Sequence, residues 1–393
     1  MPKIKPEIIK WARENANLSI EEAAQKLMIT DGEITSAAEK LDAYEKGNKE
    51  PSRSMLLRMS KQYRQPLLTF YLDQPPVIGD RGEDFRTIPE QFFEETENAH
   101  IDVLIRDIKA RQSTIRETLI DEDEEIRLDF IGKHTINNYV DTIVETIHKT
   151  LDLRLDDYRA QSSYKESFKI LRQKAEAAGI FVLLKGNLGS YHSNIAVAAF
   201  RGFALSDDVA PFIVINDNDI ESAWSFTLLH EMTHLVLGQT GISGASAEMQ
   251  VEKFCNNIAS EFLLPATEFN SFKLSSLDFD ILIKEISDYA FSKKVSSSHI
   301  AYRLHLRGDI GKQVWESLSE FYRKKWLESR LKIKEQNKEK DGAPSYYVVK
   351  RYKLGTLVEL VKRLTYAGAL TTTKAGMLLD TKPLKVHRLF QTG

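Results

Sequence analysis

The chain has 393 residues, room for two or three domains, and its 42% hydrophobic and 28% charged residues are ordinary for a water-soluble protein. A formal net charge of −3 gives no global field to draw nucleic acid, no apolar run approaches the length of a membrane span, and a single cysteine, Cys255, excludes an internal disulfide framework. Met1-Pro2-Lys3-Ile4-Lys5 lacks the apolar stretch of a secretion signal, so a cytoplasmic location is expected. Cys255 reads as a small buried residue rather than a nucleophile or ligand.

Residues 6–64 read as short helices. Pro6 starts the first, which runs through Trp11 to Ala16. Ser19 caps a second, with Glu22 completing a capping box and Ala23, Ala24 and Leu27 facing inward. A turn at Ile29-Thr30-Asp31-Gly32 precedes a helix carrying Ile34, Ala38 and Leu41. Tyr44-Glu45-Lys46-Gly47, Pro51 and a helix with Leu56, Leu57, Met59 and Tyr63 follow. This order resembles an Xre-type helix-turn-helix and sets a first domain over residues 1–72. Here the segment between turn and aromatic is longer than in that type. It is also acidic, with Asp31, Glu33, Glu39 and Asp42 against Lys40. A recognition helix needs Arg, Lys, Asn or Gln toward bases and phosphates. DNA binding and protein docking therefore both stand as readings of this domain.

Pro75-Pro76 opens a linker and helical region over residues 73–160. Asp84-Phe85-Arg86 reads as a structural loop element, with Phe85 as a plug and its charges paired at the surface. Residues 92–119 predict one long amphipathic helix with Val103, Leu104, Ile108 and Ile115 as its stripe. Asp121 to Glu125 reads as a solvated acidic turn. Further helices continue through Val144 and Leu151, and His100, His134 and His148 lack metal-like spacing.

The third domain, residues 161–335, carries the chemistry. A helix through Leu171 and Ala175 leads to a strand, Ile180 to Leu184; Ala196 to Leu205 and Phe212 to Ile215 read as two more. Asp217-Asn218-Asp219 offers N-caps to a helix whose apolar stripe is Trp224, Leu228, Leu229, Met232, Leu235 and Val236, and Gly238 is its stop. Within it lies His230-Glu231-Met232-Thr233-His234. Two imidazoles four residues apart share a helix face and can reach one metal ion, while Glu231, rotated away from them by about 100°, can take a proton from a bound water. A second helix, capped at Ser246 and broken by Pro265, should pack antiparallel and bring a carboxylate as third ligand. Glu248, Glu252 and Glu261 are the candidates. Glu252 is favoured because Asn256 shares its face and can steady a ligand. Tyr191 and His192, in the Gly-rich loop Gly186 to Ser193, could polarise a carbonyl, although an ordinary loop pair is the better reading of them.

His230-Glu231-Met232-Thr233-His234, Glu252-Lys253-Phe254-Cys255-Asn256 and Phe262-Leu263-Leu264-Pro265 resemble the ImmA/IrrE family of metallopeptidases. Phe226-Thr227-Leu228-Leu229, Pro211 to Asn216 and Gly202-Phe203-Ala204-Leu205 extend the likeness over about residues 165–310. Cys255 replaces a usual Ala, and Trp224 stands where Arg is frequent. The resemblance implies Zn²⁺ on His230, His234 and Glu252 with Glu231 as general base. It further implies a zinc-dependent endopeptidase whose protein substrate is a helix-turn-helix repressor, cleaved to relieve repression under stress or in a mobile element. The alternative is a DNA-binding regulator or antitoxin-like protein with a non-catalytic metal site.

After Pro265 helices are predicted to about Lys332, with Ala301, Leu304 and Leu306 facing inward in the one that begins near Val295. Lys332 to Gly342 reads as a charged linker. Residues 343–393 form an end module with a strand at Tyr346-Tyr347-Val348 and helices near Leu357 to Leu364 and Lys374 to Leu379. Its basic edge at Lys382-Pro383-Leu384-Lys385 has helix-turn-helix flavour, and docking is preferred there over DNA contact. The expected fold is α+β and mostly helical: a helix-turn-helix domain, a zincin-like metallopeptidase domain with a small sheet, and a C-terminal helical module.

Overall fold

A computed structural model describes residues 4–63 apart from 15, 17, 33 and 34, residue 70, residues 95–239 apart from 190–192 and 198, and residues 247–339 and 345–391; side chains are described from 100 and 250 in the helices that begin at 95 and 247, up to 328 in the helix that ends at 339, and not at 53. These residues fall into two compact units, one up to Asp107 and one from Ile108 onward. The chain is mostly helical with one small sheet, an α+β fold.

The first unit holds α1 (Pro6–Glu14), α2 (Ile20–Lys26), α3 (Ala37–Glu45) and α4 (Arg53–Gln62) around Ile8, Ile9, Ala12, Ala24, Leu27, Leu41, Leu56, Met59 and Tyr63. Reciprocal capping boxes, Ser19 with Glu22 and Ser36 with Glu39, start α2 and α3 where the sequence supplies the paired side chains. Arg13 clamps the buried Glu45 through two bonds of 2.7 and 3.0 Å, tying α1 to α3. Ten residues, 27–36, separate α2 from α3. Met28 in that stretch is left-handed and 78% exposed. Ile34 and Glu33 lie outside the described residues, as do Pro75-Pro76 and Asp84-Phe85-Arg86.

Helix α5 (Glu95–Asp121) buries Leu104, Ile108 and Ile115 of the expected stripe together with Ile101; Val103 is only half-buried. In the second unit follow α6 (Val140–Leu151), α7 (Leu155–Arg159) and α8 (Tyr164–Ala177), then β1 (Phe181–Leu184), β2 (Gly202–Leu205) and β3 (Phe212–Ile215). The sheet order is β1-β3-β2, with β1 parallel and β2 antiparallel to β3. Phe212-Ile213-Val214-Ile215 is buried throughout, as an apolar run in a central strand should be. Strand β2 is shorter than the Ala196–Leu205 stretch the sequence suggests. Gln112 of α5 donates to the carbonyls of Leu205 and Ala210 at 3.0 Å and holds the β2–β3 connection.

Helices α9 (Glu221–Val236) and α10 (Ala247–Leu263) pack on each other, and α9 also covers β2, β3, α6 and α8. Then come α11 (Ala266–Phe269), α12 (Phe279–Lys293), α13 (Ser297–Arg307) and α14 (Lys312–Glu339). The charged stretch from Lys332 is helical to Glu339 rather than a linker, since Lys, Glu and Gln are strong helix formers. The end module is α15 (Tyr346–Leu354), α16 (Leu357–Tyr366), α17 (Thr372–Leu378) and α18 (Val386–Gln391). Tyr346-Tyr347-Val348 is therefore helix, not strand. Tyr347, Arg351 and Leu354 turn inward at helical spacing, and that packing overrides the β preference of Val348 and Val349.

Candidate metal centre

Every residue from Ala223 to Val236 of α9 is buried, so the helix is the spine of the second unit rather than a surface helix. Its N-terminus differs from expectation. Ile220 is the N-cap residue and supplies no side-chain bond, while the polar residues before it brace loops. Asn216 donates to the Phe200 carbonyl at 3.0 Å, Asn218 to Gly186 at 2.7 Å, and Asp219 pairs with Arg201 at 2.8 Å. These bonds fasten the segments between β1 and β2 to the start of α9. Gly238, with φ 67°, ends the helix as expected.

On α9 the Nε2 atoms of His230 and His234 stand 3.2 Å apart. Glu252 of α10 reaches both: Oε2 lies 3.0 Å from His230 Nε2 and Oε1 lies 3.1 Å from His234 Nε2. Asn256, one turn further along α10, places Oδ1 2.9 Å from His230 Nδ1. The contacts run 230 to 256 and 234 to 252, so the two helices are antiparallel here. A carbonyl oxygen can only accept, so His230 Nδ1 is the donor to Asn256, and Nε2 is the nitrogen turned toward Glu252 and His234. The three ligand atoms lie within 4.8 Å of one another.

This donor set fits zinc. Bonds of 2.0–2.1 Å at tetrahedral angles put neighbouring ligand atoms roughly 3.3 Å apart, close to the separations here. Burial pushes the Glu252 carboxyl up. The hydrogen bonds and charge of the two rings outweigh that and hold it below the usual carboxylate range. His234 Nδ1 and Asn256 Nδ2 are buried without a hydrogen-bond partner among the described residues.

Of the other carboxylate candidates, Glu261 does not join the cluster. Glu261 accepts from the Ala266 amide at 2.8 Å and serves the start of α11. The side chain of Glu248 lies outside the described residues, as do Ser246, Tyr191 and His192. Cys255 is fully buried, and burial followed by the charges of Glu252 and Glu231 pushes its thiol up, which keeps it unreactive. His148 stacks on Phe262 at 4.0 Å, and His134 bonds Thr146 at 2.8 Å; both pack rather than ligate.

Glu231 is buried between the two ring-bearing positions. Gly202, at the first position of β2, faces it. A Cβ at Gly202 would come within 2.6 Å of Thr227 Cγ2, 2.9 Å of Glu231 Oε1 and 3.1 Å of Glu231 Cγ. The strand can approach α9 this closely only without a side chain there, so Gly202 sets the space in which the Glu231 carboxylate sits. In the sequence this glycine opens a strand-like run and gives no sign of the helix it meets.

Residues 175–305 match the IrrE N-terminal-like domain family, Peptidase_M78. The matched span is a third of the chain and runs from α8 into α13, so it encloses the sheet and both helices of the metal centre. It supports a metallopeptidase-type function for the second unit. No curated protein and no solved structure matches the chain.

Proposed function

We propose that the second unit is a zinc-dependent endopeptidase acting on a protein substrate. The observation that carries this reading is the convergence of three donors, His230, His234 and Glu252, beside Glu231. Structural zinc sites close with four protein ligands, whereas catalytic sites keep three and leave a position open. A bound zinc ion would acidify a water in that position and polarise the substrate carbonyl. Glu231 takes the proton from the attacking water and passes it to the leaving amine. Asn256 orients the His230 ring and fixes its tautomer. Among the described residues strand β2 has β3 as its one neighbour in the sheet and packs on α9, so its other edge offers backbone groups that an extended peptide can pair with.

The substrate we favour is a helix-turn-helix repressor whose cleavage relieves repression. The capped helices of the first unit are consistent with an Xre-like domain that recognises such a partner. The alternative, a DNA-binding regulator with a non-catalytic metal site, is disfavoured by the buried Glu231 next to the donors. The test is E231Q, incubated with repressors encoded beside the gene. It should bind zinc like the native chain and lose cleavage by about a hundredfold or more. Undiminished proteolysis by E231Q would overturn the mechanism.

A further inference from the structure

The structure divides the cations of the C-terminal module into two sets, apart from Arg388, which stands over the Tyr347 ring 5.8 Å from its centroid. Residues 345–391 carry nine Lys and Arg against Glu359 and Asp380, within a chain whose total charge is −3. One set is spent on bonds within the module and from it to the rest of its unit. Lys353 pairs with Asp217 at 2.5 Å, Lys350 bonds Asp380, and Arg363 grips Glu124 at 2.5 and 2.7 Å. Arg351 pairs with Glu359, and Lys362 donates to the Phe390 carbonyl at 3.1 Å. From outside, Lys185 reaches Asp380 at 3.6 Å and Arg111 donates to the Leu378 carbonyl at 2.8 Å. The other set is Lys374, Lys382 and Lys385, exposed and without an ion pair among the described residues.

These three lysines share one supersecondary element. Thr371 caps α17 by accepting from the Lys374 amide at 3.2 Å. Four residues, 379–382, then turn the chain into the 3-10 segment Pro383–Lys385, which runs straight into α18. The turn is tight. Asp380 is left-handed, Thr381 donates to the Gly376 carbonyl at 2.8 Å, and a Cβ on Gly376 would lie 2.8 Å from the Thr381 carbonyl oxygen. Two short helices joined by a tight connection, with Gly376 of α17 pressed against the turn, have the connectivity of a helix-turn-helix. Val386, Leu389 and Phe390 bury one face of α18; Lys385, His387, Arg388 and Gln391 lie on the exposed side. Cations, an imidazole and an amide are the side chains that bind phosphates and base edges. In the first unit, by contrast, ten residues join α2 to α3, against seven between α17 and α18, and α3 exposes Glu39 and pairs its Asp42 with the following Lys46.

We propose that the α17–turn–α18 element binds duplex DNA, with Lys374, Lys382 and Lys385 on the phosphates and α18 directed at the major groove. The site is separate from the metal centre and does not depend on the peptidase reading.

The experiment is fluorescence anisotropy of a labelled mixed-sequence 25-base-pair duplex titrated with the full chain. Three phosphate contacts give a log–log salt slope of about −2.7, so affinity should fall about 40-fold between about 50 and 200 mM salt. K374A/K382A/K385A should bind at least about tenfold more weakly at the lower salt, lose most of the slope, and keep the native melting temperature. Absence of binding at low salt would overturn the proposal. So would a triple variant that binds as well as the native chain, since the contact surface would then lie elsewhere. Polyglutamate that displaces the duplex at equal charge concentration would also overturn it, because the surface would then be a general anion binder.

Discussion

Two ring nitrogens and a carboxylate gathered within about 3 Å, where most water is excluded, need a cation or a proton among them. At this scale Asn256 has the clearest separable role, since it touches His230 from the side away from the cluster. N256A should leave the donors in place but free the ring to rotate and shift tautomer. Zinc affinity is expected to fall about 10- to 100-fold, read by competition with a chromophoric chelator. Affinity equal to that of the native chain would show that the bond does not steady the ligand. The pairing of Glu252 with the two imidazoles was legible in the sequence because helical spacing puts Glu252 and Asn256 on one face of α10. The exclusion of Glu261 was not, because its partner is an amide beyond a proline that spacing does not reach.

Among elements, the contact between β2 and α9 is the one on which the proposed chemistry rests. G202A inserts a methyl against Thr227 and Glu231. We expect it to keep one zinc per chain yet lose most of its cleavage, with a lower melting temperature. G202A/T227S removes the Thr227 methyl that makes the closest clash. It should regain stability while remaining slow, because the displaced carboxylate is not restored. If stability and turnover recover together, Gly202 matters only for packing. The elements that could be read from the sequence were those whose signals are local. The Ser19–Glu22 capping box, the apolar run of β3 and the glycine stop at Gly238 all depend on residues a few positions apart. Signals that depend on distant partners were misread. Asp217 to Asp219 look like caps and instead hold loops and Lys353, and Tyr346 to Val348 look like strand until α15 packs on α18 and β1.

At the scale of the molecule, the second unit is fastened by ion pairs that titrate. Glu268 on α11 is held by Arg159 and Lys293 from α7 and α12. Burial raises its carboxyl, but the bonds to Lys293 and Arg159 bring it below the ordinary value. The unfolded chain has that ordinary value, so the stabilisation is complete above it and disappears as pH falls through the lower folded value. E268Q should therefore melt earlier than the native chain at about pH 7 and converge with it at about pH 2. An equal loss at both pH values would mean that packing rather than charge holds this junction.

The central claim is that His230, His234 and Glu252 hold one ion and Glu231 does not. Elemental analysis of purified chains after zinc loading and desalting tests it most directly. The native chain and E231Q should each carry one zinc, while H234A and E252A should carry little or none. Full zinc occupancy in E252A, or none in the native chain, would contradict it.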